Sequence, residues 1–101
     1  MVEITNADVI NAWSRASQEL VTNFGDEGDF TRRSLLNSVI FGLVGDVSGK
    51  TILDAGCGQG YLSRLLAKKG AVVTGIEPAE PWYTYAVQRE QAERLGIRYN
   101  L

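Results

Sequence analysis

The stretch Thr51 to Gly60, TILDAGCGQG, constrains the fold of this chain more than any other. It opens as a short apolar run, Ile52, Leu53 and Ala55, with one carboxylate, Asp54, near its end. Gly56, Gly58 and Gly60 follow at alternate positions. An apolar run bounded by glycines reads as a buried strand of a parallel sheet. The glycines read as a tight turn whose backbone can approach a ligand closely. A helical pattern from Tyr61 to Lys69 sets a helix N-terminus beside that turn. Strand, glycine turn and helix form the first half of a nucleotide-type binding unit.

The second half follows. Ala71 to Ile76, AVVTGI, is another buried-strand run, and it ends in Glu77, seventeen residues beyond Gly60. A carboxylate at a strand tip can accept hydrogen bonds from both hydroxyls of a ribose. Each such charge-assisted bond is worth roughly 1.5–3 kcal/mol. Leu62, Leu65 and Leu66 give the intervening helix one face for the sheet, and Gly70 ends it. Pro81 suits the first turn of a later helix, expected from Trp82 to Leu95 and stopped by Gly96. Ile97 to Leu101 alternates and reads as a third strand. Right-handed crossovers then predict an α/β fold with a three-stranded parallel sheet in the order 3-2-1.

Two helices are expected ahead of the sheet. Thr5 to Asp8 looks like a helix start, with a capping side chain and an acid in the first turn. Val9, Trp13, Ala16, Leu20 and Phe24 continue it as one apolar stripe, and Gly25 stops it. On that stripe Trp13 reads as a core residue. Asp26 to Asp29 reads as an acidic, flexible linker. A second helix is expected from Asp29 or Thr31 to Val44, with Leu35, Leu36, Val39, Ile40 and Leu43 on its apolar face. Arg32 and Arg33 sit in its first turn, where the helix dipole disfavours cations. The plain reading is a solvated face; the alternative is that one arginine meets a ligand carboxylate.

Composition removes several function classes. The 101 residues allow one domain at most, and 45% apolar content is enough for a core. A net charge of −2 leaves no basic footprint for nucleic acid. There is no histidine and one cysteine, so neither a zinc site nor an internal disulfide is expected. No run is long enough to span a membrane, and the N-terminus lacks the pattern of a signal peptide, so a cytoplasmic setting is expected. Gly49-Lys50-Thr51 imitates the end of a P-loop. That motif needs a glycine where Val44 stands, and it follows a strand instead of preceding one.

The glycine spacing bears on the ligand. A dinucleotide site needs G-x-G-x-x-G, and the third glycine position is Tyr61. A ligand without phosphate needs no anion cradle and tolerates a carboxylate such as Asp54 beside the loop. S-adenosylmethionine, with its ammonium, sulfonium and ribose, answers that description.

Ile52 to Gly60 resembles motif I of the class I S-adenosylmethionine-dependent methyltransferases, and Glu77 falls where that family places its ribose-binding acid. The resemblance implies a partial Rossmann-like fold and S-adenosylmethionine as cofactor. It implies that Gly56, Gly58 and Gly60, with Ala55 and Cys57 between and before them, form the loop under the methionine part. Asp54 would order that loop and help hold the ammonium, often through water. Glu77 would bind the ribose, and Pro78 and Ala79 would lie beside the adenine. Gln59 and Tyr61 are further candidates for direct contact. Cys57 reads as a small residue at a tight turn. No catalytic residue is identified.

Members of that family have seven strands, and this chain supplies three. Residues 1–101 are therefore expected to be one partial domain, with a helical lead-in over 1–48 and the β-α-β-α-β cofactor half over 49–101. The resemblance implies methyl transfer to a small-molecule acceptor. The alternative is a non-catalytic module that binds a nucleoside or self-assembles. The first strand would be a sheet edge, so association between copies is expected there.

Overall fold

A computed structural model describes residues 2–101 of the chain. Helix α1, Asn6–Ser14, opens on a capping box: the Asp8 amide donates to Thr5 Oγ1 at 3.2 Å, and the Thr5 amide donates to Asp8 Oδ2 at 2.9 Å. The apolar stripe does not continue as one helix to Phe24. Ser14 turns its hydroxyl back onto the Ile10 carbonyl at 2.7 Å, and Ser17 caps a new helix, α2, Gln18–Asn23, by accepting the Leu20 amide at 3.1 Å. Short hydroxyl side chains compete with the helical ladder and favour such breaks.

Gly25, at φ 77°, ends this region. Asp29 then caps the next helical segment, taking the Arg32 amide on its side chain at 3.0 Å and the Arg33 amide on its carbonyl at 2.9 Å. That segment runs as a π-helical turn, Arg32–Leu36, into α3, Asn37–Val44. Its apolar face finds no cover among the described residues: Leu35, Val39 and Leu43 are 59%, 51% and 83% exposed.

Strand β1, Thr51–Ala55, helix α4, Tyr61–Lys68, strand β2, Val72–Ile76, helix α5, Glu80–Glu93, and strand β3, Arg98–Asn100, complete the chain. The strands are parallel in the order β1-β2-β3, with Ile52 opposite Val73 and Asp54 opposite Gly75. This is the order expected from right-handed crossovers. Helix α5 starts earlier than Trp82 because Pro81 is accepted within the first turn. It stops at Arg94, which takes the left-handed conformation at φ 52°, instead of at Gly96. Glu90 explains the early stop, since its carboxylate accepts the amides of Leu95, Gly96 and Ile97 at 3.2, 3.0 and 3.2 Å.

Val47, Leu66, Ala71, Val73 and Ile97 form the core on the helix-covered face of the sheet. Each of the valine, leucine and isoleucine side chains there contributes about 1.5–3 kcal/mol. On the opposite face Leu53, Val72 and Ile76 are exposed. A second cluster, Val21, Ala79 and Trp82, joins α2 to the start of α5 and so seats the lead-in helices at the end of the sheet.

Candidate functional site

The site forms where β1 and β2 deliver their C-terminal ends. After Ala55 the chain turns at Gly56, φ 69°, and the amides of Gly56 and Cys57 both donate to the Ile76 carbonyl, at 2.8 and 3.0 Å. Gly58, φ 59°, donates its amide to Glu77 Oε1 at 2.9 Å. Gly60, φ 87°, donates to the Cys57 carbonyl at 3.1 Å and leads into α4. All three glycines thus occupy left-handed backbone that side chains disfavour. A Cβ on Gly60 would also collide with the Tyr99 hydroxyl.

Glu77 is buried, and its two oxygens are held separately: Oε1 by Gly58, Oε2 by the Ala79 amide at 2.8 Å. Each oxygen keeps acceptor capacity beyond that bond. Four loop amides, those of Gly56, Cys57, Gly58 and Gly60, are spent inside the protein and are not available to a ligand.

Asp54 accepts the Ser63 hydroxyl at 2.6 Å. Burial raises its carboxyl above the ordinary value against that hydrogen bond, and the Glu77 charge adds to the rise. The Cys57 thiol is pushed up to about 12, by burial first and then by Asp54 and Glu77. Such a thiol stays protonated and is no nucleophile.

A cleft of about 560 Å³ opens above the loop. Gly56, Cys57, Gly58, Tyr61, Glu77, Pro78 and Ala79 line it, while Asp54, Ala55, Gln59 and Gly60 do not. Gln59 is turned fully inward: its Nε2 donates to the Gly25 carbonyl at 2.7 Å, and its Oε1 accepts Arg64 Nη2 at 2.6 Å. It is 1% exposed, and its side chain points away from the cleft.

The far wall comes from the lead-in helices. Trp13 is no core residue: it is 56% exposed and lines the cleft with Val9, Ile10, Leu20 and Phe24. The break at Ser17 redirects α2, so Val21 takes the buried place against Trp82 while Trp13 meets it only edge-on, at 5.7 Å between ring centroids. The Trp82 indole N–H donates to the Trp13 carbonyl at 3.1 Å. The two arginines divide. Arg33 is exposed, whereas Arg32 reaches the cleft, paired with Asp29 at 2.8 Å and lying 4.7 Å over the Phe24 ring. The placement of two cations in a helical first turn was the signal for Arg32. Nothing in the spacing marked Phe24 or Trp82 as wall residues, because their roles depend on helix-to-helix packing.

Among the described residues no cluster of acids or cysteines suits a metal ion, and no helix is long and apolar enough to cross a membrane. Comparison with known proteins finds relatives of one kind. A family model described as a methyltransferase domain matches residues 52–101. A ubiquinone biosynthesis O-methyltransferase from Glaesserella parasuis is 39% identical over 77 residues, covering 72% of this chain and 33% of that protein. One from Coxiella burnetii is 43% identical over 53 residues, or 52% of this chain and 23% of that protein. The chain therefore spans a third or less of these curated relatives. Among solved structures, magnesium protoporphyrin IX methyltransferase from Synechocystis PCC 6803 with bound SAM matches 99% of this chain and 55% of its own, with a TM-score of 0.71 at 23% identity.

Proposed function

The chain belongs to the class I S-adenosylmethionine-dependent methyltransferases, and on that premise we propose that it is the cofactor-binding half of an enzyme that methylates a small molecule. Residues 49–101 hold the cofactor, and lead-in residues between Val9 and Arg32 form a wall over it. The single observation that carries this reading is Glu77: a buried carboxylate fixed at the tip of β2 by two amides and lining the cleft. Such a carboxylate suits a ribose hydroxyl pair, and Tyr61 at the third glycine position disfavours a dinucleotide's pyrophosphate.

S-adenosylmethionine supplies a methyl group already activated on its sulfonium. The chain's own residues bind, align and shield. Glu77 accepts the ribose hydroxyls with its remaining lone pairs. Pro78 and Ala79 give the adenine an apolar bed. Gly56, Cys57 and Gly58 lie under the methionine part, and Asp54 sets a negative charge behind them for the ammonium. Tyr61 borders the same space. Arg32, leaving or sharing Asp29, takes the methionine carboxylate. Trp13 and Phe24 exclude water from above, which supports alignment of the methyl with its acceptor. The acceptor is a small molecule, consistent with the named products of the curated relatives and the apolar outer wall of the cleft.

Calorimetric titration with S-adenosylhomocysteine, with NADH as control, tests the reading. Selective binding that is lost in Glu77→Ala supports it. Selective NADH binding, or no binding by the folded chain, overturns it.

A further inference from the structure

Gln59 and Arg64 are the two largest fully buried side chains, and the cofactor reading uses neither. A buried guanidinium is expensive unless every donor is engaged. Arg64 meets that demand mostly with one residue: Nη1 donates to the Gln59 carbonyl and Nη2 to its Oε1, both at 2.6 Å. The Gln59 carboxamide is thereby locked in one orientation, with its amide end aimed at Gly25. Gly58 and Gly60, both left-handed, flank it and set the direction in which the side chain leaves the loop.

The target of that bond is the Gly25–Gly28 linker. Its other anchors come from outside the loop: Arg89 Nη1 pairs with Asp26 at 2.7 Å, Arg64 Nη2 approaches the same carboxylate at 3.9 Å, and Asn37 Nδ2 donates to the Glu27 carbonyl at 2.6 Å. Gln59 is the anchor that arises inside the glycine loop itself. On either side of the linker stand cleft-wall residues, Phe24 before it and Asp29 with Arg32 after it. One residue earlier in the loop, the Gly58 amide holds Glu77.

We propose that Gln59, oriented by Arg64, is a positioning residue that couples the glycine loop to the linker, so that ordering the ligand-binding loop and placing Phe24 and Arg32 over the cleft are one event. Gly58 reads the ligand side through Glu77, and Gln59 transmits the loop's position to the opposite wall. By linkage, a ligand that fixes the loop tightens the linker, and a loosened linker weakens the ligand to the same degree. The ligand half of this proposal rests on the cofactor reading above; the linker half does not.

The experiment uses the full chain and two variants. Gln59→Glu keeps an acceptor for Arg64 but replaces the donor facing the Gly25 carbonyl with a second acceptor. Gln59→Met keeps length and volume and removes both bonds, and it serves if the glutamate variant does not fold. Tryptic cleavage after the exposed Arg15 and Arg33 is timed with and without S-adenosylhomocysteine, alongside calorimetric affinity and the thermal midpoint. The expected result is cleavage several-fold faster in the ligand-free variants, affinity roughly tenfold weaker, and loss of the ligand's protection of Arg33. A general loss of stability would lower the midpoint and leave the ratio of cleavage rates with and without ligand unchanged, which overturns the proposal. So does a ligand-free cleavage rate equal to that of the parent chain. Failure of the parent chain to bind the nucleoside, with cleavage still faster in the variants, overturns the cofactor reading and upholds the linker anchor.

Discussion

Glu77 carries two loads, one structural and one toward the ligand. Glu77→Ala leaves the Gly58 and Ala79 amides without acceptors and removes the ribose partner. Affinity for S-adenosylhomocysteine is expected to fall at least tenfold, about 1.4 kcal/mol or more, in a calorimetric titration. Asp54 gives a pH dependence. Its folded carboxyl lies above the ordinary 3.8, chiefly through burial. The folded state therefore prefers the protonated form: this contribution to stability is present below 3.8 and is lost as pH rises through the raised value. Asp54→Asn is expected to melt higher than the parent at neutral pH, with the gap closing on acidification. A melting gap independent of pH would contradict this. Cofactor affinity should run the other way, weakening as Asp54 takes up its proton, and calorimetric titrations at several pH values measure it. At Gly60, φ 87° and the Tyr99 hydroxyl leave no room for a methyl. Gly60→Ala is expected to cost about 1–3 kcal/mol from backbone strain alone, read from the urea midpoint.

At the scale of elements, β1 and α3 both present uncovered apolar surface. Strand β1 pairs with β2 on one side only, and Leu53 on its open face is 61% exposed. An unprotected edge of this kind is a template for pairing with another chain. Leu35, Val39 and Leu43 add an apolar stripe on α3. The chain alone is expected to associate with rising concentration in sedimentation velocity, and Leu53→Lys together with Leu43→Lys to return it toward monomer. A clean monomer at high concentration would show that these surfaces do not self-pair. The helices α1 and α2 show how far periodicity reaches. The spacing of Val9, Trp13, Ala16 and Leu20 is helical throughout, yet Ser14 and Ser17 break the ladder between them, and the burial of Val21 on α2 follows from the break.

For the molecule as a whole, the lead-in helices meet the sheet through Val21, Ala79 and Trp82 and through the Gly25–Gly28 linker. A radius of gyration of 14.0 Å, against about 13 Å for a compact chain of roughly this length, agrees with helices that project from the sheet's end. A ligand that bridges wall and loop should therefore stabilise the chain as one unit. At a hundredfold excess over its dissociation constant, the gain is about 2.7 kcal/mol. For a domain of roughly this size that is a rise of about 10–20 °C in Tm. Thermal unfolding with and without S-adenosylhomocysteine measures it, and a second transition unaffected by ligand would show that the lead-in helices unfold on their own.

The residues by themselves determined the parts whose physics is local. Apolar runs ending in Asp54 and Glu77, glycines at alternate positions and Pro81 in a first turn specified the strands, the loop, the parallel order and the floor of the cleft. Backbone conformation and strand twist act over a few residues, so spacing reveals them. Tertiary structure decided what depends on contacts between distant segments. It turned Gln59 away from the cleft and onto Gly25, thirty-four residues earlier. It buried Arg64 behind the loop, brought Arg32 to the cleft while leaving Arg33 in solvent, and made Trp13 a wall residue instead of a core one. The side of a helix that becomes interior is set by what packs against it, and for α1 that partner, Trp82, lies sixty-nine residues beyond Trp13.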